Sequence, residues 1–172
     1  MSFLIYGLHS RNKRGVKAML EPLAHIRIEA ILKEPQTLGQ IRECEQAYIP
    51  QALLLDHTRR CVALFISEIL FRTLTHPLQD EAMFAFLEQT IRELDTCPDP
   101  QDAHLRFLVR YADFLGFAID PTDPANRQAI GEVPGSSRRT RLHALMDYYL
   151  RHIPDFTVPN SLAVLEDVFA LD

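Results

Sequence analysis

The sequence predicts a mainly α-helical protein with a small β part at its start. In residues 26–32 every second position is apolar (Ile26, Ile28, Ala30 and Leu32), which is typical of a half-buried strand. After Pro50, apolar residues recur at spacings of three and four, as they do on the buried faces of amphipathic helices. The chain also has only 6 glycines in 172 residues, which argues against an all-β domain with many tight turns.

The β part is predicted to occupy residues 1–48. Its elements, in order, are a strand at residues 3–8, a basic loop at 9–15, one helical turn at 16–20, a strand at 26–32 and a returning strand at 37–48. The last two strands would form a hairpin. A helix is the alternative for the returning segment, because four of its residues also fit helical spacing: Leu38, Ile41, Cys44 and Ala47.

Residues 49–172 are predicted to form one helical domain of five helices. The predicted helices span residues 56–74, 80–94, 102–115, 138–153 and 161–169. Asp56 and Asp80 are suited to N-capping, and Gly116 is suited to a helix C-terminus. The second helix should bury one apolar face, made of Met83, Phe84, Leu87, Ile91 and Leu94. Residues 117–137 are rich in Pro, Asp and Gly and are predicted to be an extended loop.

Composition argues against membrane insertion and secretion. No segment approaches the roughly 18 consecutive apolar residues of a membrane span. Cys44, Cys61 and Cys97 are an odd and scattered set, which fits free thiols in a reducing compartment. We therefore expect a cytoplasmic protein.

Motifs of catalysis are absent from the sequence. It contains no phosphate-binding glycine loop, no HExxH, no GxSxG and no CxxC. His57 and Cys61 lie four residues apart on a predicted helix and could share a metal ion, but no further ligand is close to them. A surface histidine beside a packed cysteine is the favoured interpretation. We expect no metal, no cofactor and no enzyme activity, and an enzyme with a scattered active site is a distant alternative.

Charge is distributed unevenly along the chain. The net charge is -5, yet residues 1–33 carry six basic side chains against Glu21 and Glu29. Such asymmetry indicates nucleic-acid contact by one end of a chain, although a solvated basic loop is the alternative. The candidate DNA-binding residues are Arg11, Lys13, Arg14, Lys17 and Arg27.

A second set of basic residues lies in the helical domain. Arg138, Arg139, Arg141 and Arg151 share a predicted helix in which only Asp147 opposes them. Together with Arg59 and Arg60 they could extend a DNA track or bind an acidic peptide tail, since a basic helix beside an apolar groove suits such a tail. A solubilising surface is the alternative. Three aromatic residues nearby are predicted to be core: Tyr148, Tyr149 and Phe156.

Five stretches resemble one known family in the same order along the chain. They are residues 7–23, a basic loop followed by Leu-x-Pro; 26–30 with 38–45, a hairpin; 63–70, a helix; 107–117, a helix with a Leu-Gly-aromatic end; and 145–153 with 161–165, a C-terminal helix pair. Together they resemble the RecO family of recombination mediators in its zinc-free form.

This resemblance implies a partial OB-like β-unit followed by a helical RecO C-terminal-like domain. It also implies a non-enzymatic DNA-repair function. A mediator of this kind binds single- and double-stranded DNA, the acidic tail of the single-strand-binding protein and the partner RecR. It anneals strands and helps to load recombinase.

Two departures from the family modify these expectations. RecO-like proteins begin with a complete OB barrel, whereas this chain is expected to lack about two of its usual five strands. The open edge would be covered by the helical domain, would pair with a second copy in a homodimer, or would reflect a truncated start. Some members also carry a four-cysteine zinc site after the Leu-Gly-aromatic helix end, but residues 117–137 contain no cysteine. The alternative function is a helical protein–protein adaptor that has lost DNA binding.

Overall fold

The structure is a computed structural model that describes residues 3–4, 21–31, 39–74 and 80–169. Within these residues the chain forms one three-stranded sheet followed by seven helices. The prediction of a mainly helical protein with a small β part is confirmed. The predicted loop at 9–15 and helical turn at 16–20 lie outside the described residues.

The sheet consists of β1 (Phe3–Leu4), β2 (Ile26–Ile31) and β3 (Gly39–Gln46). β3 lies in the middle, antiparallel to β2 and parallel to β1. The hairpin register pairs Ile28 with Cys44 and contains an irregularity between Glu29 and Ala30. The hairpin is thus confirmed, and the alternative helix over residues 37–48 is wrong, because the backbone of this segment pairs with two strands.

The helices follow the sheet without interruption by further strands among the described residues. They are α1 (Ala52–Leu55), α2 (His57–Thr73), α3 (Glu81–Thr96), α4 (Ala103–Phe114), α5 (Arg127–Ile130), α6 (Arg138–His152) and α7 (Ser161–Phe169). The five longer ones are the five predicted helices. No described helix combines the length and the apolar character that crossing a membrane requires.

Local capping explains why these boundaries could be predicted. The Asp56 carboxylate accepts a hydrogen bond from the backbone N–H of Arg59 at 3.1 Å, and Asp80 accepts one from Met83 at 3.0 Å. Gly116, with φ of +85°, follows α4 in the left-handed conformation that glycine adopts without strain. Each signal acts within four residues of the helix end, so tertiary contacts do not override it.

The prediction of an extended loop over residues 117–137 is wrong in part. A 3₁₀ turn at Pro124–Asn126 leads directly into the one-turn helix α5. The Asp123 side chain accepts a hydrogen bond from the Ala125 backbone at 2.9 Å, and a proline is tolerated in a first turn because it needs no partner there. Asp123 and Pro124, which are typical turn residues, therefore begin a short helical segment here.

The core lies around the central helix α2, which packs against α1, α3, α4 and α7. Tyr111 and Tyr149 are fully buried, and their hydroxyl groups bond Thr73 Oγ1 at 2.7 Å and the Leu108 carbonyl at 2.8 Å. The core positions predicted for Tyr148, Tyr149 and Phe156 are confirmed.

One predicted core position on α3 is wrong. Phe84 is 58% exposed, and Phe86 occupies the buried position instead. The buried face of α3 runs through Met83, Phe86 and Leu94, towards the aromatic side chains of α4. The Phe84 ring lies instead against His25, just before β2, with the ring centroids 5.6 Å apart.

Asp95 connects the chain after β3 to the helices. Its carboxylate accepts hydrogen bonds from the Tyr48 hydroxyl at 2.7 Å and from the backbone N–H groups of Gln51 at 3.1 Å and Leu53 at 2.8 Å. Burial raises the pKa of Asp95, but these hydrogen bonds outweigh burial and the pKa lies below its usual value. The charged carboxylate therefore fixes the start of α1 against the end of α3.

Candidate functional site

An apolar groove of about 430 Å³ lies between α1, α2 and α7. We call it the α1–α2 groove, and its lining residues are Glu21, Pro22, Leu53, Leu54, His57, Arg60, Cys61, Ala63, Leu64 and Val164. Leu64 is 42% exposed and Val164 44% exposed, so apolar side chains from two helices face solvent at its mouth. Exposed apolar surface with a polar rim is typical of a binding site for a protein segment.

Arg60 supplies positive charge at the rim of this groove. It is exposed, and no acidic side chain of the described residues forms an ion pair with it. Glu21 is the single carboxylate among the described lining residues. An unpaired guanidinium beside apolar surface favours a ligand that carries both carboxylates and apolar side chains.

His57 and Cys61 lie together in the groove, with Cys61 Sγ 3.7 Å from His57 Nε2. Burial raises the pKa of the Cys61 thiol, more than the nearby charge of Arg60 lowers it, so the thiol is neutral at pH 7. Within the described ranges no three His, Cys, Asp or Glu side chains converge as metal ligands. The pair is a packed cysteine beside a surface histidine.

Glu68 on α2 holds the α7 wall of the groove in place. Its carboxylate accepts hydrogen bonds from the backbone N–H groups of Asn160 and Ser161, both at 2.9 Å, and from the Ser161 hydroxyl at 2.6 Å. Arg72 donates to the same carboxylate from one turn further along α2. A negative charge at a helix N-terminus satisfies N–H groups that have no partner within the helix.

These contacts also determine the charge state of Glu68. Burial raises its pKa, but the hydrogen bonds from Ser161, Arg72 and Asn160 outweigh burial and hold the pKa at about 2. The carboxylate is therefore charged across the neutral range. The negative charge therefore adds to the packing of Leu162 and Leu165, which also holds α7 in the core.

Arg59, a predicted partner- or DNA-binding residue, has a different position from the one expected. It is buried, and its Nη2 donates to the Cys97 carbonyl at 2.7 Å while Nε lies 3.5 Å from Asp56 Oδ2. A further hydrogen bond runs to the Leu94 carbonyl. Arg59 thus satisfies carbonyl groups at the C-terminal end of α3 and does not point to a ligand.

The arginines of α6 are largely compensated by nearby carboxylates. Arg138 Nε lies 2.9 Å from Asp102, and Arg141 Nη1 lies 3.7 Å from the same carboxylate. A Cβ at Gly131, where φ is +84°, would lie 2.7 Å from the Arg141 guanidinium carbon, so glycine makes room for this side chain. Arg139 pairs with Glu166 at 2.9 Å but remains 72% exposed.

The basic residues of the β part divide between described and undescribed segments. Arg27, on β2, is exposed and pairs with Glu45 across the hairpin at 2.6 Å. The other four predicted DNA-binding residues lie outside the described residues: Arg11, Lys13, Arg14 and Lys17. The structure therefore brings Arg60 to the groove, places Arg139 on a separate surface of α6 and leaves the basic loop as a sequence prediction.

The groove itself was missed by sequence reasoning. Leu53, Leu54 and Leu55 follow one another, and three consecutive leucines cannot all face the core from one helical turn. Leu53 is buried, whereas Leu55 is 88% exposed. This run was the signal that an apolar surface lies at the start of the helical domain.

A family model described as "Recombination protein O C terminal" matches residues 54–145, more than half of the chain. The chain belongs to the RecO family. RecO membership supports a role in DNA repair and recombination. The matched span contains Arg59, Arg60 and the first half of α6, so the groove and the α6 arginines largely fall within it.

Relatives named as DNA repair protein RecO match almost the entire chain. The DNA repair protein RecO of Phocaeicola vulgatus is 28% identical, and the match takes in 98% of this chain and 87% of the relative. The proteins of the same name from Bacteroides fragilis and Flavobacterium johnsoniae are 27% and 25% identical, each over 98% of this chain and 86% of the relative. No solved structure matches the chain.

The match also shows that this chain is shorter than its relative within the matched span. The match to the Phocaeicola protein covers 209 aligned positions, whereas this chain has 172 residues. The relative therefore has residues inside the matched span that this chain lacks. This chain is therefore shortened within the matched span. The sequence predicts missing residues only in the β part.

Replacing Glu68 with Gln should destabilise the protein in a pH-dependent manner. A carboxyl with a lowered pKa stabilises the fold above its unfolded pKa of 4.5, and this stabilisation is lost as the pH falls towards about 2. We expect Glu68→Gln to lose about 2 kcal/mol at pH 7. The difference from the unchanged protein should shrink between pH 4.5 and 2 in denaturant unfolding measurements.

Glu132→Gln is the matched control for this measurement. Glu132 is about half exposed and pairs with Arg127 at 3.8 Å, so its loss should cost less than about 0.5 kcal/mol. A Glu68→Gln variant as stable as this control at pH 7 would contradict the role assigned to the carboxylate.

Proposed function

We propose that this chain is a non-enzymatic recombination mediator that binds DNA and the acidic tail of the single-strand-binding protein. In this role it would assist strand annealing and recombinase loading in the cytoplasm, with RecR as a partner. The observation that carries the proposal is the α1–α2 groove with Arg60 at its rim, which no carboxylate of the described residues pairs with, on a chain of the RecO family.

The groove suits one end of a short acidic peptide. Leu54, Leu64 and Val164 are exposed and offer apolar surface to a hydrophobic side chain of the tail. Arg60 offers charge-assisted hydrogen bonds to a carboxylate, and these are stronger than bonds between neutral groups. Glu21 at the rim would repel carboxylates on its own side and so favour one direction of the peptide.

DNA binding is assigned to the basic loop and β2. Arg11, Lys13, Arg14 and Lys17 would contact phosphates and release counterions, so that affinity falls steeply with salt. Arg27 follows them in the sequence and is exposed. Its ion pair with Glu45 reduces the contribution to DNA binding that we expect from it. These contacts position a strand without reading its sequence, which fits both single- and double-stranded DNA.

The α6 arginines have a smaller part in this proposal than the sequence suggested. Arg139 is accessible, whereas Arg138 and Arg141 are held by Asp102. Arg59 is left out because it is buried. β2 is an edge strand of the described sheet, so a second copy of the chain remains a further candidate partner.

Charge reversal at Arg60 should weaken tail binding. We expect Arg60→Glu to reduce the affinity for the tail peptide of the cognate single-strand-binding protein about tenfold or more, because repulsion replaces attraction at the rim. Leu64→Asp should have a similar effect, since it places a charge on the apolar wall. Fluorescence anisotropy of the labelled peptide measures both.

Arg127→Glu is the control for this measurement because Arg127 is an exposed arginine on α5, away from the groove. It should change the peptide affinity less than about twofold. Unchanged affinity in both groove variants would remove the groove from the proposal.

Removal of the basic loop charges should reduce DNA binding and its salt dependence. With Arg11, Lys13, Arg14 and Lys17 changed to Ala, we expect weaker binding of a labelled single-stranded oligonucleotide. The slope of log affinity against log salt should become less negative by about 0.7 for each lost phosphate contact. A variant with Arg110 and Arg127 changed to Ala serves as the control.

DNA binding that is equal in both variants would exclude the basic loop. If the unchanged chain binds no DNA even at low salt and still binds the tail peptide, the protein–protein adaptor replaces the mediator as its function.

A further inference from the structure

A second cavity, of about 190 Å³, lies at the start of α6 and is separate from the α1–α2 groove. Its lining comes from α4, α6 and α7 and includes His104, Ser137, Arg138, Arg139, Glu166 and Phe169. The cavity thus joins a helix N-terminus, two arginines and a buried histidine. None of these features forms part of the proposed peptide groove.

His104 is fully buried, and neither of its ring nitrogens has a hydrogen-bond partner among the residues that the structure describes. The ring stacks on Phe169 with centroids 5.2 Å apart and meets Phe65 edge to face at 6.1 Å. Burial lowers the pKa of His104 to about 3, so the ring is neutral and offers one N–H donor. Buried polar groups without partners are rare in proteins, so this donor calls for an acceptor.

The first turn of α6 offers two further donors beside this ring. Ser137 caps the helix, and its hydroxyl accepts the N–H of Thr140 at 3.1 Å. The backbone N–H groups of Arg138 and Arg139 come first in the helix, so they have no acceptor within it. Such N–H groups bind anions together with the helix dipole.

Positive charge exceeds negative charge around the cavity. The positive charges of Arg106, Arg138 and Arg141 all help to lower the pKa of His104. Arg139 lines the cavity. The opposing carboxylates are Asp102, which pairs with Arg138 and Arg141, and Glu166, which pairs with Arg139 and His143. Among the described residues, these two carboxylates do not neutralise the four guanidinium groups, so a bound anion would find an excess of positive charge there.

We propose that this cavity binds a single phosphate group. A phosphate has several oxygens and can accept hydrogen bonds from the His104 ring, the first turn of α6 and a guanidinium at once. A carboxylate has only two oxygens and would satisfy fewer of these donors. The phosphate is either free or part of a DNA strand, and only its assignment to DNA rests on the proposed function.

Titration of the full chain with inorganic phosphate, followed by NMR, tests the site. We expect the largest changes at the backbone amides of Arg138 and Arg139 and at the His104 ring nitrogens. His104→Phe should weaken phosphate binding at least fivefold without lowering the stability of the fold, because phenylalanine fills the same space and removes unpartnered nitrogens. A histidine with a purely structural role would not produce this loss of binding.

Arg139→Gln, at an exposed position, is the second variant and should also weaken binding. His57→Phe, in the α1–α2 groove, is the control and should leave phosphate binding unchanged. No change at these signals with phosphate in the tens of millimolar range overturns the proposal. Equal phosphate affinity in His104→Phe and Arg139→Gln and in the unchanged chain also overturns it.

A parallel titration with a single-stranded oligonucleotide identifies the source of the phosphate. If inorganic phosphate and the oligonucleotide shift the same signals, the cavity binds a backbone phosphate of DNA. If only inorganic phosphate does, the site takes a small phosphate compound, and the DNA function stands or falls separately on the basic loop.

Discussion

The Glu68 carboxylate ties the last helix to the central helix, and both proposed sites depend on that contact. Glu68 binds the N-terminus of α7 through Asn160 and Ser161. Val164 of the same helix forms one wall of the α1–α2 groove, and Phe169 stacks on His104 at the second cavity. A charged group that satisfies a helix terminus is worth more than a surface ion pair, because the Glu68 side chain is only 19% exposed and water competes less for its hydrogen bonds. The position of α7 therefore depends on a carboxylate whose pKa of about 2 keeps it charged across the neutral range.

A second carboxylate has a similar function near the end of α3. Asp95 binds the backbone at the start of α1 and the Tyr48 hydroxyl, so it fixes the chain between the sheet and the helical domain. Arg59 satisfies carbonyl groups at the neighbouring end of α3. These contacts place Leu53 in the core while Leu54 and Leu64 remain at the groove. Polar contacts hold both α1 and α2 against the end of α3. The apolar surface that we assign to a peptide tail follows from this arrangement.

Features governed by neighbouring residues could be predicted from the sequence, whereas those governed by distant residues could not. Asp56 and Asp80 act within one turn, and their helices begin where the sequence indicated. Arg59 resembles a surface arginine in its local sequence, yet its partners are the carbonyl groups near Cys97, far along the chain. Phe84 and Phe86 both fit an apolar face of α3, and only the packing against α4 selects Phe86. The phosphate cavity joins His104, Ser137 and Phe169 from three helices, so no local pattern could indicate it.

The central claim is that this member of the RecO family acts on DNA through a partner that covers single strands. The most direct measurement is the annealing of complementary strands coated with the cognate single-strand-binding protein, compared with bare strands. The account predicts that the chain accelerates annealing of both, and that Arg60→Glu loses the acceleration on coated strands while retaining it on bare ones. A chain that accelerates neither reaction, or an Arg60→Glu variant as active as the unchanged protein on coated strands, would contradict the account.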